Sequence, residues 1–468
     1  MFGFGKLNAA VVGTGYMASR MSDVLSTVGT VRPYAVVSRD LDRALQFGRE
    51  NGYKKAYDSM KNMLDDKKVD FVYIATPASE HAEQVRMCIE RGKPVLCETP
   101  IALTSAEAES LFSLASSLDV LVVEAVHVRF LPFFKQIVSV ISSGEIGNPV
   151  MLTANIASDI ENVTRLQRPS LGGGALGDLG YFLLNFSSMV FGDKIKRIQS
   201  SCVFTPMRVD RQLNITLQFK DDRMAVLSCT TSGNGESRAV IQGTKGYMVI
   251  ENLLNFETIT VYGSKRNKTG FYKRPKQKNE YEFELVAFIA AMKAGWKECP
   301  EIPHAQSVSI MHMMDFIRRQ LGISYEEIQT SPLPGLPHSG TAADVQQLGT
   351  EGTAIPSFVS LHDGAHLVQE TVEAVPAAEE KTAQTVSEDT VSADSASKDS
   401  VSIDTVSIDT VSIDTVSTDS FSDDSSSEDA ASQRTEEIPE EMKKAGSEED
   451  APESVVTDPA AMWDDTSK

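Results

Sequence analysis

Hydrophobic residues fall along the first 124 positions in a repeating plan. Residues 7–12 (Leu-Asn-Ala-Ala-Val-Val) form an apolar run of strand length. After the turn Gly13-Thr14-Gly15-Tyr16-Met17-Ala18, apolar side chains return at Met17, Met21, Val24, Leu25 and Val28, the spacing of one helical face. A second apolar run, Tyr34–Val37, closes a strand–turn–helix–strand unit of about 30 residues. Further runs at Val69–Ala75, Val95–Cys97 and Val120–Val123 alternate with helical stretches, which predicts an open parallel sheet. From about residue 125 the apolar runs lengthen and alternate, at Val150–Ile156, Leu213–Phe219, Ala225–Thr230, Tyr247–Ile250 and Thr258–Tyr262. That pattern predicts a second α/β domain with a large, mainly antiparallel sheet. Glu282–Lys293 and Ala305–Arg319 are expected to be helices packed on that sheet, and the globular part is expected to end near Ile323–Tyr325.

The rest of the chain loses this periodicity. Residues 331–385 are rich in Pro, Ala and Gly and read as a linker, and residues 386–468 as a low-complexity acidic tail. Within the tail, residues 386–430 repeat every five positions, most cleanly as Val401-Ser-Ile-Asp-Thr, Val406-Ser-Ile-Asp-Thr and Val411-Ser-Ile-Asp-Thr. Each unit offers one or two apolar side chains, too few to offset the entropy of ordering it, so the tail is expected to be disordered. A phosphorylation-dependent or multivalent docking role is the functional alternative; the composition names no partner for it. The domains expected are therefore 1–124, 125–330, the linker 331–385 and the tail 386–468.

Charge sharpens this division. The formal net charge of −21 comes from 65 acidic and 44 basic residues. Residues 331–468 hold 30 of the acids and only 6 of the bases, whereas residues 1–330 are close to balance. Nucleic acid is not expected as a partner, because phosphate binding needs net positive charge. The five cysteines include no CxxC pair, which points to free thiols in a reducing compartment. The first residues lack the charged-then-apolar pattern of a signal peptide, and no run of about 18 uncharged apolar residues suggests a membrane span. A cytoplasmic protein without a membrane or metal partner is expected.

The glycine turn carries the clearest chemistry. A GxGxxA between a strand and a helix is the context in which a dinucleotide pyrophosphate is held. Gly13 permits the tight turn, Gly15 lets backbone approach the phosphates, and Ala18 lets helix and strand pack closely. Thr14, Tyr16 and Met17 complete the turn, and the helix N-terminus supplies unpaired N–H groups and positive dipole. The second strand ends Val37-Ser38-Arg39 rather than in an acid. A hydroxyl and a guanidinium suit a 2′-phosphate, so Ser38 and Arg39 favour NADP(H), with NAD(H) as the alternative. Asp40 falls one or two residues too late for the usual contact with a ribose 2′-hydroxyl. The first 124 residues are thus read as a Rossmann domain.

With these residues placed, the chain resembles the Gfo/Idh/MocA family of NAD(P)-dependent oxidoreductases over most of residues 7–325. The motifs are Val72-Tyr-Ile-Ala-Thr-Pro77 with Glu80-His81-Ala82-Glu83-Gln84, Gly92-Lys-Pro-Val-Leu-Cys-Glu98, and Glu124-Ala-Val-His-Val-Arg-Phe-Leu-Pro132. Arg165-Leu166 with Leu171-Gly-Gly-Gly-Ala-Leu-Gly-Asp-Leu-Gly180, Gly243-Thr-Lys-Gly246 and Tyr281-Glu-Phe-Glu284 continue the match. The glycine turn and the Ser38-Arg39 pair look most like the dihydrodiol dehydrogenase and glucose–fructose oxidoreductase branches. The resemblance implies a Rossmann domain followed by a sheet that often builds dimers or tetramers, so a homo-oligomer is expected. It implies hydride transfer between a nicotinamide and a small sugar, polyol or similar substrate. It also implies that Thr76, Pro77, His81 and Glu98 lie beside the cofactor, with Arg165 able to hold its phosphate.

Two positions depart from the family. Its Glu-Lys-Pro reads Glu98-Thr99-Pro100, so the lysine that touches cofactor and substrate oxygen is replaced by a hydroxyl. Four residues after the motif aspartate, Asp178, the family has His or Tyr where this chain has Phe182. Tyr181 lies one position earlier, turned by about 100° on a helix. A lost acid or base costs roughly 10²–10⁴-fold in rate, yet the biliverdin reductase branch also lacks the lysine and still reduces its substrate. The catalytic candidates are therefore Thr99, Asp178 and Tyr181, with Arg129, His127 and Arg165 nearby. Three readings stand: an active oxidoreductase, a non-catalytic dinucleotide-binding sensor or regulatory protein, or an interaction protein whose tail carries the function and whose core is a scaffold.

Overall fold

The computed structural model describes residues 5–325 and 435–437. In chain order its first elements are β1 (Leu7–Val12), α1 (Tyr16–Thr27), β2 (Val31–Val37), α2 (Leu41–Glu50), β3 (Lys55–Tyr57), α3 (Met60–Asp65) and β4 (Phe71–Ile74). There follow α4 (Ala78–Glu90), β5 (Val95–Cys97), α5 (Ser105–Ser117) and β6 (Val122–Glu124). The second half contains α6 (His127–Phe130), α7 (Phe134–Ser142), β7 (Pro149–Ala157), α8 (Tyr181–Phe191), β8 (Ile195–Phe204), β9 (Asp210–Phe219) and β10 (Met224–Thr230). It continues through β11 (Arg238–Gly243), β12 (Gly246–Glu251), β13 (Thr258–Gly263), β14 (Lys268–Lys273), α9 (Glu282–Ala294) and α10 (His304–Leu321), and β15 (Thr435–Glu437) closes the order.

The first sheet runs β15-β3-β2-β1-β4-β5-β6, with β1 through β6 mutually parallel. Strand order therefore reverses around β1, where β2 and β4 flank it and where a crevice opens beyond the strand ends. β1 and β4 are buried on both faces, which explains their near-continuous apolar runs. Local caps agree with the sheet. The Asp40 carboxylate accepts the Asp42 and Arg43 N–H groups to start α2, and Thr104 with Glu107 forms a capping box on α5.

The second sheet runs β14-β13-β12-β11-β7-β10-β9-β8. Only β7 and β10 pair in parallel; the other pairs are antiparallel. The expected architecture is thus the observed one, with three strands added that the apolar runs do not reveal. β8 and β14 lie at the two edges and alternate between half-buried and exposed positions, so their hydrophobic signal is weak. The short β11 is interrupted by polar Gln242.

The last two helices differ from expectation. α9 packs Phe288 against Phe71 of β4, ring centroids 5.3 Å apart, and so lies on the first sheet. α10 bridges both domains. Its Asp315 carboxylate accepts the Ser105 N–H and hydroxyl at 3.0 and 2.7 Å at the start of α5, while Gln320 bonds Ser200 of β8. An apolar helical face shows that a helix packs, not which sheet it packs on. The linker 331–385 and the repeats 386–430 lie outside the described residues. Of the tail, Thr435–Glu437 are described and pair antiparallel with β3, Thr435 opposite Tyr57. All five cysteines are unpaired thiols, as expected.

Candidate active site

The site begins at the end of β1. Gly13 has φ +109°, and a Cβ there would stand 2.5 Å from the Ala75 carbonyl oxygen at the end of β4. Only glycine fits between these two strand ends. Gly15 caps α1 without a side-chain hydrogen bond, no acid occupies the first turn, and a Cβ at Gly15 would meet nothing within 4 Å. The first N–H groups of α1 therefore face open space with positive dipole, which fits a pyrophosphate. Ala18 is fully buried and does not line that space; it lets α1 pack close to the sheet.

A cavity of about 440 Å³ runs from this turn in two directions. Gly13, Thr14, Gly15, Tyr16 and Met17 form its floor. At one end Ser38, Arg39 and Arg43 line it together with Asp58 and Met60. Asp40 is absent from this wall because its carboxylate caps α2. Arg43 lies four positions beyond Arg39, a repeat of cationic side chains legible in the sequence.

Thr76 and Pro77 line the middle, where the Thr76 hydroxyl donates to Gln84 at 2.7 Å. His81 does not reach the cavity. Its ring is buried with one nitrogen 2.8 Å from the Pro100 carbonyl and the other 2.8 Å from the Thr76 carbonyl. Burial lowers its pKa, so the neutral ring donates to one of these carbonyls at a time. Its position is that of a brace beneath the Thr76–Pro77 and Thr99–Pro100 turns.

The other end gathers Glu98, Thr99, His127, Arg165, Asp178, Phe182 and Tyr281. The Glu98 carboxylate accepts a hydrogen bond from the buried Tyr73 hydroxyl. Burial pushes the Glu98 pKa up to about 7, against the opposing pull of Tyr73 and the Thr99 N–H. Arg165 grips Asp178 with two nitrogens, at 2.6 and 3.1 Å. The guanidinium expected to hold a cofactor phosphate thus points to the motif aspartate, and the aspartate expected to handle protons is the acceptor of a forked ion pair.

The segment after the glycine run explains which aromatic residue faces the cavity. Leu176–Gly180 is a single π-turn that leads directly into α8. Its start is fixed by Asp210, whose carboxylate accepts the Leu176 N–H at 2.6 Å. A Cβ on Gly174, at φ +120°, would collide with Asp210 at 2.1 Å. From this start Phe182 lines the cavity, whereas the Tyr181 ring is buried and its hydroxyl donates to Glu124 at 2.6 Å. Burial and the Glu124 carboxylate hold the Tyr181 phenol well above its ordinary pKa. The structure thus sets Tyr181 apart from the other candidates. Arg129 is likewise occupied, donating to Asn185 at 2.7 Å and Ser188 at 3.2 Å. Tyr281, which precedes α9 and opens the Tyr281–Glu284 motif, joins the cavity from more than 100 residues beyond the glycine turn's own domain.

Among the described residues no group of three His, Cys, Asp or Glu side chains could hold a metal ion, and no helix is long and apolar enough to cross a membrane.

Comparison with known proteins agrees with this architecture. Residues 7–126 match the model of the oxidoreductase family with an NAD-binding Rossmann fold, and residues 134–249 match the GFO/IDH/MocA C-terminal domain. The chain is 31% identical to trans-1,2-dihydrobenzene-1,2-diol dehydrogenase of Xenopus tropicalis over 311 residues, 64% of this chain and 94% of the relative. In fold it is similar to KijD10, a 3-ketoreductase from Actinomadura kijaniata in complex with NADP and TDP-benzene, with a TM-score of 0.64 at 21% identity, covering 68% of this chain and 98% of the other. It is also similar to levoglucosan dehydrogenase in complex with NADH and levoglucosan, with a TM-score of 0.62 at 18% identity, covering 68% and 97%. The cavity, its two flanking domains and these matches lead to one assignment: the chain belongs to the Gfo/Idh/MocA family of NAD(P)-dependent oxidoreductases.

Proposed function

We propose that the protein is an NADP(H)-dependent oxidoreductase that moves a hydride between nicotinamide and a small carbonyl or polyol, sugar-like substrate. The observation that carries this reading is the continuity of one cavity from Ser38, Arg39 and Arg43, past the Gly13–Met17 turn, to Glu98, Thr99 and His127. Such a cavity suits an extended dinucleotide with room for a small substrate beyond it. The relatives fit the same class, since one is named as a diol dehydrogenase and two neighbours in fold as a 3-ketoreductase and levoglucosan dehydrogenase. The neighbours differ in their nicotinamide, NADP in one and NADH in the other, so fold alone does not decide between them. Ser38, Arg39 and Arg43 favour NADP(H), because a 2′-phosphate takes charge-assisted hydrogen bonds from guanidinium groups.

In this reading the N–H groups at the start of α1 bind the pyrophosphate, and Thr76 and Pro77 flank the nicotinamide ribose. When bound, the cofactor supplies or accepts the hydride. The chain's own residues orient the substrate, exclude water and move one proton. Arg165 and Asp178, locked together, are suited to hydrogen-bond substrate hydroxyls rather than to exchange protons. A titration of NADPH against NADH, read by the fluorescence of the reduced nicotinamide, tests the reading: NADPH is expected to bind at least tenfold more tightly. Equal affinity would remove the case for NADP(H), and no binding of either would remove the whole reading.

Thr99 and Phe182 line the same cavity without an ionisable group, and they favour a second reading, a dinucleotide-binding sensor without turnover. Thr99→Lys with Phe182→Tyr separates the two. A sensor gains activity from the pair, whereas an enzyme that moves its proton by another group is active without them.

A further inference from the structure

The hydride-transfer reading leaves one gap, a group to take or give the proton. We infer that His127 is this acid–base residue, standing beside Phe182 where the family's proton donor is missing. The inference rests on the hydride-transfer reading and goes further by naming the residue. The His127 and Phe182 ring centroids are 5.2 Å apart, edge to face, and Tyr281 stands on the other side of the imidazole at 5.0 Å. All three line the cavity wall with Glu98 and Thr99.

The tautomer follows from one contact. His127 Nε2 lies 2.8 Å from the Leu254 carbonyl oxygen. A carbonyl only accepts, so Nε2 carries the hydrogen and the lone pair of the neutral ring sits on Nδ1. Among the described residues Nδ1 has no hydrogen-bond partner. Burial lowers the ring's pKa below its ordinary value, opposed by the Leu254 carbonyl and the charge of Glu280. The groups facing the ring are few in kind. Glu280 pairs with Arg20 at 3.7 Å, burial raises the pKa of the Tyr281 phenol and of the Glu284 carboxyl well above their ordinary values, and Phe182 is apolar. Glu98 and the Arg165–Asp178 pair lie on the same cavity. Near neutral pH the ring is therefore an uncharged base.

The other groups at this end are less suited. Asp178 is held by both Arg165 nitrogens and a threonine hydroxyl is no acid near neutral pH, which leaves Glu98, bonded to the Tyr73 hydroxyl and ionising at about 7, as the competitor that His127→Gln separates from His127. In the oxidising direction the substrate O–H proton passes to Nδ1, and the electron pair of that O–H bond becomes the second bond of the new carbonyl. With oxidised NADP bound, the hydrogen on the same carbon would leave with its electron pair to the cofactor, so that atoms and electrons balance. The imidazolium then returns its proton to water at the cavity mouth. In reverse, the imidazolium delivers the proton to the carbonyl oxygen. Alcohol oxidation is thus expected to fall as pH drops through a pKa below 6.5, and carbonyl reduction to rise over the same range.

The test uses the full chain with His127→Gln, because a glutamine amide can still donate to the Leu254 carbonyl but has no basic lone pair. NADPH affinity is measured by fluorescence. Oxidation with NADP is measured across pH on glucose, xylose and glycerol. We expect NADPH affinity within twofold of wild type, a rate lower by about 10²–10⁴-fold, and loss of the acid limb. Rates within threefold of wild type with the same acid limb would overturn the inference, as would a loss of NADPH affinity that accounts for the lost rate. An independent readout is the 15N spectrum of the histidine rings in wild type. It should show His127 with hydrogen on Nε2, titrating below 6.5; hydrogen on Nδ1, or no titration between pH 4.5 and 8, would overturn the inference even if the variant folds poorly. A wild type that binds NADPH but oxidises none of the three substrates overturns the hydride-transfer reading and the inference with it. An active wild type matched by His127→Gln overturns the inference alone.

Discussion

The two ends of the cavity are assembled in different ways. The end near Arg39 comes from the Gly13–Met17 turn and the β2–α2 and β3–α3 corners, all within the first 60 residues, where most tasks follow from neighbours in sequence, Gly13 against Ala75 being the exception. The opposite end collects Glu98 after β5, His127 in α6, Asp178 in a π-turn and Tyr281 before α9. There each task depends on contacts with distant residues: Tyr73 for Glu98, Leu254 for His127, Arg165 for Asp178. The first end is a local device and the second a tertiary one. If this contrast is sound, substitutions at the first end change binding, whereas those at the second change chemistry and stability and leave binding in place.

The largest effect is expected at Gly13. Gly13→Ala would put a methyl group 2.5 Å from the Ala75 carbonyl in a backbone conformation that alanine rarely adopts. The turn must shift, and NADPH affinity is expected to fall by at least about 100-fold, with a stability loss of about 3 kcal/mol or more. Fluorescence titration and urea unfolding measure the two. Binding within threefold of wild type would show that the turn does not set the site's shape.

Next comes Arg39→Ala, which on the proposed NADP(H) reading would remove a charge-assisted contact worth about 1.5–3 kcal/mol. NADPH is expected to bind about 10–100-fold more weakly and NADH within twofold of wild type. Arg43→Ala should act in the same direction. Parallel weakening of both nucleotides would place these arginines on a group the two share, such as the pyrophosphate, and no weakening would leave them without a role in binding; in either case the preference for NADP(H) would lose its basis.

A smaller effect tests the opposite end. Tyr181→Phe leaves the buried Glu124 carboxylate without its 2.6 Å donor. Stability is expected to drop by about 1–3 kcal/mol, while NADPH affinity stays within twofold. A fall in turnover at unchanged stability would return Tyr181 to the site.

How much of this was legible in the sequence follows the same division. The parallel sheet, the glycine turn and the Ser38-Arg39 corner could be read because strand runs, helical spacing and turn chemistry are local signals. Phe182 could be counted from Asp178, but the Asp210 carboxylate that starts the π-turn lies 34 residues from Leu176 and left no trace in the pattern. His81 sits at the expected place in its motif, yet two backbone carbonyls turn it into a brace. The edge strands β8 and β14 escaped because half-exposed strands carry little hydrophobic contrast. α9 was legible as a helix but not as a neighbour of β4, since its apolar side chains fit either sheet.

The last effect is pH-dependent and concerns Glu98, and its sign can be worked out. The Glu98 carboxyl ionises at about 7 when folded against an ordinary value of 4.5. Between these values the folded protein binds more of this proton than the unfolded chain does. Stability therefore falls as pH rises from about 4.5 to about 7 and is level in this respect above that. Glu98→Gln keeps an oxygen for the Tyr73 hydroxyl but cannot ionise. The difference in stability between variant and wild type should accordingly shift in the variant's favour across that window, by at most about 1.4 kcal/mol per pH unit. Urea midpoints at pH 5, 6, 7 and 8 measure it, with the full change complete by pH 8. Parallel curves would mean that Glu98 ionises as it does in water. The cavity at this end would then be wet enough to leave the His127 imidazole unshifted as well, and the contrast between a local binding end and a buried chemical end would narrow to geometry alone.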